Sequence, residues 1–339
     1  MAIGDLAAPQ ARSYVAVGRE TTLGTYASAT TAMEFLSCTF QKTIESMKIN
    51  AIGPTRAYGR RVQLGHVTAG SLEHNLHPID STLMIINALG GGVVTTSQSG
   101  IAIHSITAGN FDTLAASLSF NVRKGDVITY RYVGGRVNQL TISAAVGEVA
   151  KASYEMVFID GTQQSDDILS TLSISSVLPF VYTQGVFRYG NTEANAATTT
   201  SEERIQGFEL VLNNNIISDT NARELGRTTP RVLPATKQDV TFSITQRADT
   251  TTTWARFTSA TAGAIELLFD GVAITSTSAL TYRMLIRLPN VTVNSPDPTL
   301  DSATDVVKSD ITFDVLSDNI NTTTGRAIGA TVQNVINAY

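Results

Sequence analysis

Six arginines stand where extended chain could carry them to a neighbour: Arg56, Arg60 and Arg61 in one long polar stretch, and Arg223, Arg227 and Arg231 in another. A guanidinium offers a planar fork of donors suited to carboxylates at subunit contacts. Ordinary solvated charge is the competing reading. Other residue types that could do chemistry are sparse. His74 and His77 could share a metal only on a helix; at a strand end, residues three apart point to opposite faces. The four histidines are therefore expected to be solvated or hydrogen-bonded. Asp160, Asp166 and Asp167 lack the spacing and closing Glu of a calcium loop, and read as a solvated turn. Glu73, Glu155, Asp310 and Asp314 are the only carboxylates a β-sandwich hydrolase could use, and strand-surface charge explains them more simply.

Several chemistries find no support. A single cysteine, Cys38, excludes zinc sites of paired cysteines and an intramolecular disulfide. It alternates with apolar neighbours and reads as a buried, inert thiol. No phosphate-binding loop or nucleophile elbow occurs, and Gly90-Gly91-Gly92 lacks the context of a dinucleotide fingerprint. Asn290-Val291-Thr292 and Asn321-Thr322-Thr323 read as chance glycosylation matches. The net charge of -5 argues against sequence-independent nucleic-acid binding. The N-terminal residues have neither a basic start nor an apolar core, and Leu83–Ile86 is too short an apolar run to span a bilayer. A soluble, unexported chain is expected. No cofactor or metal is expected.

The elements that must position these residues are mostly strands. Leu118, Phe120 and Val122 alternate with polar residues, as do Leu140 and Ile142, and Tyr154, Met156 and Phe158. Pro78-Ile79-Asp80-Ser81 opens a helix that Asp80 or Ser81 can cap and Gly90 ends. Gly90–Gly92 reads as a flexible break. Asp249 can cap a second helix carrying Trp254 and Phe257 at i,i+3 spacing. In that helix, core packing is the plain reading of Trp254.

The order of elements repeats. Phe35–Phe40 finds an echo in Gly207–Leu212, Tyr14–Gly18 in Phe180–Gly190, and Tyr154–Phe158 in Ile311–Val315. Each copy runs strand, long Arg-bearing loop (about 42–66 and 213–237), strand, helix, strands. The expected fold is mainly β: two tandem domains, 14–163 and 177–318, each with a short flanking helix and a long inter-strand loop. Residues 1–13 form an N-terminal arm, 164–176 a connector, and 319–339 a polar tail with a weakly helical end.

These residues resemble a known family. Gly18-Arg19-Glu20-Thr21-Thr22-Leu23-Gly24-Thr25 is similar to the "G-x-E-x-x-x-G-T" phrase that opens tail tube (major tail) proteins of long-tailed bacteriophages. Gly70-Ser71-Leu72-Glu73 resembles their strand before the helix. Tyr132-Val133-Gly134-Gly135-Arg136-Val137-Asn138-Gln139-Leu140 resembles their "Y-x-G-x-x-V-N-x-L" strand pair. The resemblance covers about residues 14–318, in a duplicated form. It implies tail-tube-like β-barrel or sandwich domains without catalytic residues. A two-domain chain would then form trimeric rings that imitate hexamers and stack into a hollow tube in the virion tail, assembled in the host cytoplasm. The implied partners are further copies, tail tip, tape-measure and terminator proteins, with DNA only transiently in the lumen and no membrane. A virion decoration or receptor-binding β-sandwich is the alternative.

Overall fold

The computed structural model describes residues 12–29, 31–50, 58–109, 116–125, 127–165, 168, 172–199, 204–247, 252–274, 280–296, 298–299, 307–318 and 325–339. The first half contains β1 (Tyr14–Arg19), β2 (Thr31–Met33), β3 (Ser37–Cys38), β4 (Gln41–Lys48), β5 (Arg61–Asn75), α1 (Asp80–Leu89), β6 (Gly90–Gln98), β7 (Ile101–Ala108), β8 (Leu118–Lys124), β9 (Ile128–Ala145), β10 (Lys151–Phe158) and β11 (Asp160–Gln164). The second half contains β12 (Gly185–Gly190), α2 (Glu193–Thr198), β13 (Ile205–Asn213), β14 (Asp239–Arg247), α3 (Thr252–Ser259), β15 (Gly263–Ala273), β16 (Thr281–Ser295), β17 (Pro298–Thr299), β18 (Lys308–Val315) and β19 (Gly329–Asn334).

The chain is mainly β, and its strands join in one large antiparallel sheet that is not closed on itself. Two ladders with the same order make it up. In the first half β1, β8, β9, β10, β5 and β4 lie side by side. In the second half β12, β15, β16, β18, β14 and β13 do the same. Even the irregularities recur. Leu118 pairs Gly135 and Phe120 pairs Tyr132, skipping a residue more on β9; Gly263 and Ile265 pair Val291 and Leu288 with the same skip. A second bulge separates Val137 from Gln139 opposite Met156 and Glu155, and its counterpart separates Val293 from Ser295 opposite Phe313 and Thr312. Bulges bend a strand at a fixed place, so shared bulges mean shared curvature.

The pairings also correct the sequence reading. Cys38 pairs Leu72 as Phe208 pairs Ile244, so Ser37 corresponds to Gly207 and the echo drawn from Phe35 is two residues out of register. The matching of Tyr154 with Ile311 is in register, since these oppose Leu72 and Ile244. Gly18 and Gly190 hold corresponding places near the ends of β1 and β12 for the same reason. A Cβ at Gly18 would lie 2.9 Å from the carbonyl oxygen of Ala27, and one at Gly190 2.3 Å from the backbone nitrogen of Ala196.

Low identity between the halves has a packing cause. In the first half Phe40 touches the rings of Phe120, Tyr132 and Phe158, with centroids 4.8 to 5.6 Å away. The corresponding rungs of the second half hold Leu210, Ile265, Leu288 and Val315, and the aromatic bulk moves to Phe187, Phe242 and Phe313. Cores conserve volume and patterning more strictly than residue identity.

Four expected elements differ. Of residues 42–66, those described are not an open loop: β4 and the start of β5 pair as a two-stranded arm. Gly90–Gly92 is not a break but the start of β6, which pairs with β7. The expected tail carries β19 rather than helix, and β19 lies between β16 and β7. Helix α1 has Ile79 at its N-cap with no side-chain cap; Asp80 is already helical, and Ser81 Oγ accepts the backbone N–H of His77 at 2.8 Å. Gly90 closes the helix in the left-handed conformation, φ 75°. The cap expected at Asp249 lies outside the described residues.

Candidate functional site: a polar sheet face, a projecting arm and the arginine loops

The two halves join because β9 carries β13 along its free edge, from Gly207 opposite Ala145 to Asn213 opposite Gln139. Strands β5, β10, β9, β13, β14 and β18 thereby form one unbroken surface. Their period of two sends Leu72, Tyr154, Leu140, Leu210, Phe242 and Ile311 into the core. The opposite face is Ser, Thr and Gln with Glu73, Glu155, Glu209, Asp239, Asp310 and Asp314. Carboxylates here sit beside hydroxyl residues: Glu209 opposite Ser143 and Ser243, Asp310 accepting a hydrogen bond from Thr245 at 2.7 Å, and Asp314 opposite Thr241. At one end of this face Lys151 opposes Asn75 and Arg247 opposes Lys308.

The four carboxylates considered for hydrolysis are all on this face. Glu73 and Glu155 lie on β5 and β10, Asp310 and Asp314 on β18. Four strand spacings separate β10 from β18, about 19 Å. Hydrolytic carboxylate pairs work at less than about 10 Å, so the two sets do not share a site.

The arm of β4 and β5 projects beside this face. It exposes Ile44, Met47, Val62 and Leu64, each between 43% and 54% accessible. Met47 and Val62 are cross-strand partners, and Leu64 is the extra residue of a bulge. Isolated two-stranded ribbons are marginal in water, and exposed apolar side chains on one mark a contact surface.

The arginines of the two loops behave differently. Arg56 lies outside the described residues. Arg60 is exposed, and Arg61 Nε donates to Ser46 Oγ at 2.7 Å, along the arm. Arg223 is nearly buried. It pairs with Glu45 on the arm and donates to the carbonyl of His66 at 3.0 Å, while the His66 N–H donates to the Thr228 carbonyl. The Arg223 hydrogen bond holds the Glu45 carboxyl below its ordinary range. Arg227 and Arg231 both stand near Glu224, at 3.7 and 3.8 Å, in solvent.

Of the two readings offered for the histidines, solvated or hydrogen-bonded, the second holds. All four histidines are buried and hydrogen-bonded. His74 stacks on Tyr154, and burial drives its pKa down to about 3. His77 Nε2 donates to the Val177 carbonyl while Nδ1 accepts the N–H groups of Ile79 and Asp80. Asp160 is no solvated turn. Burial pushes its pKa up, but the Lys42 ammonium at 2.7 Å, the Gly161 N–H and His66 outweigh that and hold it below the usual range. Asp166 and Asp167 lie outside the described residues. Cys38 is half-buried, and desolvation raises its pKa. Trp254 is not core: it is half-exposed on α3, against Phe257. Among the described residues no three His, Cys, Asp or Glu side chains gather as metal ligands would, and no helix is long and apolar enough to cross a membrane.

Sequence reasoning missed Glu20, which is 2% exposed. Its carboxylate accepts from the hydroxyls of Ser117 and Ser119, each at 2.6 Å, and from the N–H groups of Gly24 and Gly134, each at 2.8 Å. The signal was present in the Gly18-x-Glu20 phrase. Its physical content is a glycine that admits a crossing loop and a carboxylate that ties that loop to β8 and β9.

No individual curated protein matches the chain. The family model described as phage tail tube protein matches residues 10–315, most of the chain. With its mainly β architecture and this match over most of its length, the chain belongs to the phage tail tube protein family.

Proposed function

We propose that this chain is the repeating subunit of a phage tail tube, built as two tandem tail-tube-like β units. The first takes in 14–163 and the second 177–318 together with β19; 1–13 is an arm and 164–176 a connector. Three chains close a ring with six-fold pseudosymmetry, and rings stack into a hollow tube that conducts viral DNA. The supporting observation is the recurrence of one strand ladder, with both bulges, in the two halves.

The polar face of β5, β10, β9, β13, β14 and β18 faces the channel. Its carboxylates repel phosphate and its hydroxyls stay hydrated, so DNA passes without the counterion release that holds it to basic surfaces. The arm of β4 and β5 reaches a neighbouring ring, bringing Met47, Val62 and Leu64 into contact. Arg56, Arg60, Arg61, Arg227 and Arg231 serve carboxylates of adjacent subunits, while Arg223 holds the arm at its base. The role is structural and needs no cofactor. Tail tip, tape-measure and terminator proteins bound the tube, which assembles in the host cytoplasm.

Negative-stain microscopy of concentrated protein, alone and with its tail-tip complex, tests this reading. Hollow tubes are expected. A chain that stays monomeric in both conditions, or binds host cells without forming tubes, overturns it.

A further inference from the structure

A cavity of about 520 Å³ opens where the two halves meet. On one side stand the end of α1 and the middle of β9, on the other the ends of β13, β14 and β18 with the residues beside them. Leu89, Val137, Val240 and Val315 give it apolar walls. Its volume falls within the range of small-molecule sites, roughly 300 to 1,000 Å³.

Two cations line this cavity without a partner. Among the described residues, neither the Arg136 guanidinium nor the Lys237 ammonium makes a hydrogen bond or an ion pair. Arg136 is half-buried on β9. The charge of Glu20 reaches it, but each Glu20 oxygen already accepts two donors. Burial pulls the Arg136 pKa below its ordinary value, and Glu20 offsets that only in part. A guanidinium taken out of water without an acceptor is costly.

The other polar groups of the lining are engaged or opposed. Arg326 stands beside Glu193 and Asp318. The amides of Asn87, Asn214 and Asn290 donate to backbone carbonyls. Asp239 sets one carboxylate against the two unpaired cations, which leaves a surplus of one positive charge.

We propose that this cavity binds a small organic acid, with an apolar body between the two halves and a single carboxylate on Arg136 and Lys237. The guanidinium fork matches a carboxylate with two parallel hydrogen bonds. One surplus charge suits a monocarboxylate better than a doubly charged phosphate ester. With those amides engaged, charge and apolar fit do the selecting. A bound acid touches both halves and braces their junction. The site is complete within one chain, so its occupancy does not depend on tube formation.

Unfolding temperature of the unassembled protein tests this, with sodium chloride of equal ionic strength as the reference. Phenylacetate or octanoate at about 10 mM should raise it by roughly 2 °C or more, while acetate and the neutral phenylacetamide match the reference. Arg136→Gln should leave the ligand-free temperature unchanged or higher, because it removes a desolvated charge, and should lose the shift. Lys237→Gln, at an exposed position, should lose part of it. No shift with either apolar acid overturns the proposal, and so does an undiminished shift in either variant. A clear ligand-free loss in Arg136→Gln also overturns it, since the guanidinium then has a partner within the chain. A larger shift with the blocked peptide acetyl-Leu-Glu-Leu-amide than with either acid assigns the site to an acidic side chain of another protein, and likewise overturns it.

Discussion

Gly65 has no side chain, and Arg223 fills the space one would take: a Cβ at Gly65 would lie 2.6 Å from an Arg223 guanidinium nitrogen. A loop of the second half thus locks the base of an arm that belongs to the first. Truncation in Arg223→Ala removes the hydrogen bond to the His66 carbonyl and empties a nearly buried slot. A loss of about 1 to 3 kcal/mol in urea unfolding is expected. Arg227→Ala and Arg231→Ala should stay within about 0.5 kcal/mol of wild type. Equal effects at all three positions would contradict the special place of Arg223.

Glu20 accepts from four donors at once. Glu20→Ala is expected to cost at least about 3 kcal/mol, since each orphaned buried donor carries its own desolvation penalty. Denaturant midpoints measure this, and a change under about 1 kcal/mol would mean that water replaces the carboxylate.

His74 makes stability depend on acid. Its folded pKa is depressed to about 3 by burial, against 6.5 ordinarily. Below pH 6.5 the unfolded chain therefore takes up a proton that the folded chain refuses. Stability from this group is complete above pH 6.5 and falls as pH drops toward 3, by up to roughly 4 to 5 kcal/mol. Asp80, raised by burial, works in the opposite sense, so the comparison is with His74→Gln. Unfolding free energy between pH 6 and 4 should be flatter in that variant by about 1.4 kcal/mol per pH unit. Parallel curves would show that His74 titrates normally.

Met47 and Val62 are already exposed, so the paired change Met47→Lys with Val62→Glu, which sets opposite charges across the strands, should leave unfolding within about 0.5 kcal/mol of wild type. Tube formation, followed by light scattering and microscopy, should be lost. Retained assembly would remove the arm from the stacking contact.

Legibility in the sequence tracked environment. Strands with one buried face, such as β10 with Tyr154 and Met156, show their alternation and were read in register. Gln41–Lys48 shows none, because both faces of the arm meet water and nothing selects an apolar period there. Strands β6 and β7 were hidden by three glycines that resemble a break, and β19 by partners more than two hundred residues away in β7. Arginines were legible as a group but not individually: spacing says nothing about which one meets a glycine. Hydrogen-bonded histidines were one of two readings, and the choice between them, like the role of Glu20, needed the partners that only tertiary structure supplies.

The placement of β13 on β9 has a consequence for timing. Both strands belong to one polypeptide, so β13 meets that edge at the high effective concentration of a tethered ligand, whatever the amount of protein in the cell. A free copy's strand must compete with it from bulk solution. That edge of β9 is therefore sealed as soon as a chain folds, and its occupancy does not answer to the abundance of finished subunits.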